Sequence, residues 1–264
     1  MGGPYHGKKG GTVRRFLVDP APSDSGPVKL TGSQAHHALR VLRLKPGDTV
    51  FLIDGQGHEW KARITAAARD MVELEIVEAR ASLKESPLDL TLGLVVLKAS
   101  PMDLAVQKGT ELGLKRLVPL YSSRSAVRLN HSQAEKRLAH WRKIALEALK
   151  QCQRGWPVEI KPLAGLKDFL SEASEADLKL MLYEEERKTA TPRLKELLSR
   201  KPKPKSVWAL IGPEGGFTSA EVDLAREAGF EALGLGPRVM RSETAALALM
   251  AILAFTLGDL AIFD

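Results

Sequence analysis

The chain has 264 residues, 44% hydrophobic and 27% charged, with a formal net charge of +7. That composition suits one large domain or two smaller ones, each with its own core. The single cysteine, Cys152, excludes an intramolecular disulfide and fits a reducing cytosol. The longest apolar run, Ala245 to Leu257, is about thirteen residues, short of the roughly twenty that cross a bilayer.

The charge is uneven. Residues 1–50 hold eight Lys/Arg against three Asp/Glu, and residues 98–161 hold thirteen against five. Two separated basic regions point to a polyanionic partner, most simply nucleic acid; a solvated basic surface that aids solubility is the alternative. The six histidines show no metal-ligand spacing, so no metal site is expected.

In chain order, residues 1–13 carry charge and glycine without an apolar stretch, which reads as a flexible basic arm and not as a signal peptide. Residues 14–80 read mainly as short strands: Arg15 to Val18, Asp48 to Ile53 ended by the turn signal Asp54-Gly55, His58 to Ile64, and Met71 to Val77. One helix interrupts them, with Ser33 as N-cap, an apolar stripe of Ala35, Ala38, Leu39 and Leu42, and Pro46-Gly47 closing the segment. This pattern predicts a small β-barrel. Residues 81–88 read as a linker. Strands then alternate with helices: strand Leu90 to Leu97, helix Met102 to Leu112 ended by Gly113, strand Leu117 to Tyr121, helix Ser132 to Gln151, and strands at Val158 to Ile160 and Leu178 to Tyr183. A helix around Pro192 to Ser199, the stiff connector Lys201 to Lys205, the strand Val207 to Ile211, a helix, the strand Ala232 to Leu235 and an apolar last helix complete the chain. Such alternation predicts a mainly parallel sheet covered by helices.

Ligands of such sheets bind beyond the carboxyl ends of the strands. Three unusual loops stand there: Leu182 to Glu186, Gly212 to Gly216, and Leu235 to Thr244. The second contains neither a phosphate-loop nor a dinucleotide fingerprint. It offers bare backbone at Gly215 and Gly216, one carboxylate at Glu214, and a capping box of Thr218 with Glu221 just after it. That suits a ligand with polar edges and a positive centre, or simply a tight strand-to-helix turn. In the third loop, Ser242 reads as a cap, and Arg241 either pairs with Glu243 or Glu214 or, like Arg238, faces an anion.

The stretches IGPEGGFTSAEV and GFEALGLGPRVMRSETAALA resemble the C-terminal signature of the SPOUT methyltransferases. More narrowly they resemble the ribosomal RNA small subunit methyltransferase E family, which methylates N3 of a uridine in 16S rRNA. Lys108 to Gly113, Val118-Pro119-Leu120, Trp141 to Ala145 and Gln151 to Arg154 follow the family's order. RFLVDP and HHALRVLRLKPGD are similar to its N-terminal domain, so the resemblance covers roughly residues 14–260.

The resemblance implies an α/β architecture with a PUA-like RNA-binding β-barrel over residues 14–80 and a SPOUT domain with a deep trefoil knot over residues 89–264. It implies S-adenosyl-L-methionine as cofactor, 16S rRNA or the small ribosomal subunit as partner, a homodimer through the C-terminal domain, and a cytoplasmic location. The cofactor would lie among Leu182, Tyr183 and Glu184; Ile211, Gly212, Pro213, Glu214, Gly215 and Gly216; and Leu235, Gly236, Arg238, Val239, Met240, Glu243, Thr244 and Ala245. Arg241 is the first candidate for stabilising negative charge on the target base, with Arg154 second. Glu214 either orders the loops or sits near the sulfonium, and the proton acceptor stays open among Glu111, Glu214, Glu243 and solvent. Arg14, Arg15, Arg40, Arg43 and Lys45 form the barrel's expected RNA-binding set. Methylation of another RNA position, or a non-catalytic RNA-binding role, are the competing functions.

Overall fold

The computed structural model describes residues 14–22, 26–80, 85–185, 190–199 and 202–261. The expected N-terminal arm, the linker's first half, Glu186 at the end of the first expected loop and the start of the Lys201 to Lys205 connector lie outside the described residues. The chain divides into two compact units: residues 1–84 with Lys150–Trp156, and Glu85–Leu149 with Pro157–Asp264.

The first unit is a curled five-stranded sheet. Its strands are β1 (Arg15–Leu17), β2 (Pro27–Thr31), β3 (Thr49–Ile53), β4 (Glu59–Ala68) and β5 (Met71–Arg80), in spatial order β1-β3-β4-β5-β2. The β3–β4 hairpin turns at Asp54, whose carboxylate accepts the backbone N–H groups of Gln56 and His58 at 2.7 and 3.2 Å. Register shifts between Lys61 and Ala62 and between Ile64 and Ala66 add the twist that lets two ten-residue strands curl. Phe16, Leu30, Val50, Leu52, Ile64, Val72 and Leu74 share one core, so the edge strands β1 and β2 close on the same apolar centre.

Three details differ from the sequence reading. Strand β2 is absent from it, because its inward side chains are only Leu30, buried, and Val28, half-buried against the same core, and two residues are too short an alternation to read. Helix α1 (Gly32–His36) has Thr31, not Ser33, at its N-cap, and runs into a π-turn at His37–Val41. Arg15 is not a surface cation. It is 4% exposed, its Nη2 and Nε donate to Glu59 Oε2 at 2.6 and 3.0 Å, and its Nη1 donates to the Arg154 carbonyl at 3.2 Å. A guanidinium buried without that carboxylate would be strongly unfavourable, so the pair is built into the sheet and Arg15 is withdrawn from the expected RNA-binding set.

The second unit is a parallel sheet covered on both faces. Strands β6 (Asp89–Val95), β7 (Arg116–Tyr121), β8 (Glu159–Ile160), β10 (Leu178–Leu182), β11 (Ser206–Ile211) and β12 (Glu231–Leu233) lie in the order β12-β10-β11-β6-β7-β8, and the short β9 (Ala164–Gly165) pairs with β7. Side chains alternate between the faces. Leu180, Ala209 and Ile211 join one core with residues of α2 (Ala99–Glu111), α3 (His131–Cys152), α5 (Ala190–Ser199) and α7 (Ser242–Thr256). Met181 and Leu210 join the other, with residues of α4 (Leu166–Glu172) and α6 (Ser219–Glu227). Helix α4 is missing from the sequence reading; at seven residues it is too short to show a helical period. Arg241, not Ser242, occupies the N-cap of α7, and Ser242 is its first buried residue.

Candidate functional site

The strand register brings the three loops together. Leu182 at the end of β10 lies beside Ile211 on one side and Leu233 on the other, so β11, β10 and β12 end at one level. Their exits line a cavity of about 360 Å³, within the range of roughly 300–1,000 Å³ usual for small-molecule sites.

Each loop is held differently. After β10, the Tyr183 N–H donates to the Leu233 carbonyl at 2.9 Å, keeping the first loop in line with β12. Burial pushes the Tyr183 phenol above its ordinary pKa, and its hydrogen bond to Glu185 pushes the same way. After β11, the Gly216 N–H donates to the Pro213 carbonyl at 2.9 Å, closing a turn that carries Glu214 and Gly215 at its tip. Gly216 has φ +66° and open space where a Cβ would stand, a conformation natural to glycine. At Gly212 the need is steric: an added Cβ would lie 2.9 Å from the Phe217 ring. Thr218 and Glu221 form the expected capping box at the start of α6.

The loop after β7 supplies a fourth wall that the sequence did not announce. Arg124 Nη1 donates to the Gly215 carbonyl at 3.0 Å and the Phe217 carbonyl at 3.4 Å, and Arg124 lines the cavity. Next to it, the Ser123 N–H donates to Glu221 Oε1 at 2.7 Å. Burial raises the Glu221 pKa, but hydrogen bonds from Ser123 and Thr218 outweigh it and hold the carboxyl below its ordinary value. One carboxylate thus caps α6 and ties two loops of the cavity.

The expected cofactor residues line this cavity, except Gly236, Glu243 and Thr244. Gly236 shapes the third loop at φ +90°, Glu243 is buried in the first turn of α7, and Thr244 is exposed beside it. Arg124, Glu185, Phe217, Gly234 and Ser242 line it without having been expected. Phe217, Gly234 and Ser242 adjoin or lie within the quoted motifs; Arg124 carries no local signal beyond its charge.

Arg241 is exposed between the lining residues Met240 and Ser242, and has no ion pair to Glu214 or Glu243. Arg154 belongs to the first unit, where its carbonyl receives Arg15. Of the candidate proton acceptors, Glu214 lines the cavity, Glu111 is paired with Lys108 Nζ at 2.8 Å, and Glu243 lies off the lining. In the first unit Arg40, Arg43 and Lys45 are exposed, while Arg14 Nη1 lies 3.4 Å from Asp48. Among the described residues no cluster of His, Cys, Asp or Glu is placed to hold a metal ion, and no helix is long and apolar enough to cross a membrane.

A parallel α/β unit with a cavity at its strand ends, joined to a small curled sheet, has matching domains of known description. Residues 84–254 match the RNA methyltransferase domain and residues 30–77 the RNA methyltransferase PUA domain, so the class is that of the RNA methyltransferases. Ribosomal RNA small subunit methyltransferase E of Bacillus subtilis is 30% identical over 239 residues, 90% of this chain and 92% of that protein. The crystal structure of the ribosomal RNA small subunit methyltransferase E from Neisseria gonorrhoeae, bound to S-adenosyl methionine, superposes with a TM-score of 0.83 at 32% identity. It covers 94% of this chain and 99% of that one. A Legionella pneumophila protein solved with bound SAM gives a TM-score of 0.85 at 30% identity, over the same shares of the two chains. The chain belongs to the ribosomal RNA small subunit methyltransferase E family.

Proposed function

We propose that this protein transfers the methyl group of S-adenosyl-L-methionine to N3 of a uridine in 16S rRNA of the small ribosomal subunit. The observation that carries the proposal is the convergence of three strand-end loops, with Arg124, on one cavity whose chemistry fits this cofactor. Leu182, Ile211, Leu235, Met240 and Ala245 give apolar walls for a nucleobase. The turn at Glu214 to Gly216 gives backbone groups without side-chain obstruction, Glu184, Glu185 and Glu214 oppose positive charge, and Arg124 and Arg238 suit a carboxylate. When bound, the cofactor supplies an electrophilic methyl group on a sulfonium.

The chain's part is placement and charge. Uracil N3 is a poor nucleophile until its proton leaves. Holding the base in line with the methyl contributes several kcal/mol of rate acceleration. Arg241, exposed at the rim between two lining residues, stabilises negative charge developing on a uracil oxygen, with Arg154 as the second candidate. Glu214 is the favoured carboxylate for accepting the N3 proton, since it alone of the three candidates lines the cavity; solvent is the other acceptor. The target base enters unstacked.

The same proposal gives RNA affinity to Arg14, Arg40, Arg43 and Lys45 of the first unit, and places the protein in the cytoplasm. It includes the trefoil knot of the SPOUT fold. It makes the protein a homodimer through α7, where Ile252 and Phe255 leave 37% and 62% of their surface exposed on an otherwise apolar helix. Incubation with methyl-labelled S-adenosyl-L-methionine and unmodified small subunits is the test. Label in the rRNA supports the proposal; none, from folded protein that binds the subunit, leaves a non-catalytic RNA-binding role.

A further inference from the structure

The second basic region of the sequence is not absorbed by the proposed cofactor pocket or by the first unit's cations. Between Arg124 and Lys143 there are six Lys/Arg (Arg124, Arg128, Lys136, Arg137, Arg142 and Lys143) against one acid, Glu135. The structure sorts them. Leu138, Trp141 and Ala145 turn α3 inward to the core. Gln133, Lys136, Arg137 and His140 follow at spacings of three, four and seven, one stripe on the neighbouring face. With Leu129 they line a second cleft, of about 350 Å³. Lys143 lies one turn further along the stripe and is exposed.

Arg124 and Arg142 donate to the carbonyls of Gly215 and Ile160, but the cations of the stripe do not serve the fold in this way. Lys136, Arg137 and Lys143 have no carboxylate partner among the described residues, and Arg137 is half-buried all the same. At this edge Asp103 is engaged by His140, its Oδ2 3.0 Å from His140 Nε2. The cleft is also connected to the candidate active site. The loop from Tyr121 to Asn130 is drawn closed by Tyr121, whose hydroxyl donates to the Leu129 carbonyl at 2.7 Å and accepts the Leu129 N–H at 2.9 Å. Arg124 in that loop lines the first cavity and Leu129 at its end lines the second.

We propose that the cleft beside α3 is an RNA-contact surface on the methyltransferase unit, in which Lys136 and Arg137 hold phosphates of the substrate strand and Lys143 extends the track. It rests on the RNA substrate of the proposed function. Charge sets the class of occupant: a polyanionic backbone satisfies a row of unpaired cations spaced along a helix. The first unit's basic residues are then one of two RNA-binding surfaces.

The test is binding of in vitro transcribed small-subunit rRNA to the full chain over a range of salt concentrations. K136A/R137A is expected to weaken binding roughly tenfold at 0.1 M salt and to lower the slope of log K against log salt by about 1–2. The K136R/R137K variant is expected to retain most of the affinity, and the affinity for S-adenosyl-L-methionine, read by calorimetry, to stay within twofold of wild type in both. Because Arg137 is half-buried, K136E/K143E, both at exposed positions, is a second variant that leaves packing alone; it should show a larger loss of RNA binding. Wild-type affinity and slope in both K136A/R137A and K136E/K143E overturn the proposal while leaving the proposed function standing. Failure of the wild-type protein to bind both the rRNA and unmodified small ribosomal subunits overturns both.

Discussion

Replacing Gly212 by alanine tests the geometry of the pocket floor. Gly212 is not in a left-handed conformation, so alanine brings no backbone strain there. The added methyl would lie 2.9 Å from Phe217 Cε2, 3.0 Å from Cδ2 and 3.4 Å from Cζ. Carbon atoms pack at about 3.5–4.0 Å, so the ring or the strand end must give by roughly half an ångström or more. Phe217 is 3% exposed and belongs to the core beneath α4 and α6, so it has no free space to move into. Overpacking of this kind costs about 1–3 kcal/mol, which corresponds to a fall in Tm of about 2–4 °C per kcal/mol in a protein of this size. The same movement displaces the Pro213 to Gly216 turn, so S-adenosyl-L-methionine should bind roughly tenfold more weakly, as a turn holding ligand atoms loses affinity when it shifts. Differential scanning calorimetry and titration calorimetry read the two effects. F217L removes the obstructing ring atoms, so the G212A/F217L pair should be less destabilised than the sum of its single variants. A G212A protein with wild-type Tm and cofactor affinity, or strict additivity with F217L, refutes the steric role given to Gly212.

Four further outcomes are expected. R241A should lower turnover about 10²-fold while changing cofactor affinity less than twofold; equal losses, or no loss, in the methyl-transfer and calorimetric assays reject a selective catalytic role. R15A leaves Glu59 buried with only the longer contact from Arg80 Nη1, at 3.4 Å to Oε1, and should cost about 3 kcal/mol in urea unfolding, the low end for a broken buried pair; the apolar pair R15M/E59L should recover part of that. Because the folded Glu221 carboxyl is held below its ordinary value of 4.5, its contribution to stability is complete above that value and is lost as pH falls through the lower folded value. The acid-side slope of stability against pH should therefore be shallower in E221Q, as measured by thermal unfolding between about pH 5 and pH 2. F255E places a charge on the exposed apolar face of α7 and should convert the proposed dimer to monomers in sedimentation velocity; a wild-type monomer contradicts the dimer itself.

The second unit was largely legible because its strands are buried on both faces and read as apolar runs, while its longer helices show a clear period. The capping box at Thr218 and Glu221 fixed the start of α6 without any tertiary information. Strand β2 and helix α4 were not legible, since two inward residues and a seven-residue helix leave too short a periodic trace. Arg15 was misplaced for a different reason. A basic residue in an edge strand reads as exposed, and its partner Glu59 is 44 residues away. At the site, the residues in the quoted loops could be found because glycines, a proline and isolated charges interrupt apolar strands there. Arg124 could not, because its partners are the carbonyls of Gly215 and Phe217, more than ninety residues on. A side chain that grips a backbone carbonyl across the fold leaves no spacing rule in the sequence.

Nucleoside analysis of labelled rRNA decides whether this protein transfers a methyl group to uridine N3. Purified protein, isotopically labelled S-adenosyl-L-methionine and small subunits lacking the modification are combined, the rRNA is digested, and the labelled nucleoside is identified by mass. Label is expected in 3-methyluridine, and heat denaturation of the protein should abolish it. Label in any other nucleoside contradicts the assigned target atom, and rRNA without label contradicts the assignment of this protein as a methyltransferase.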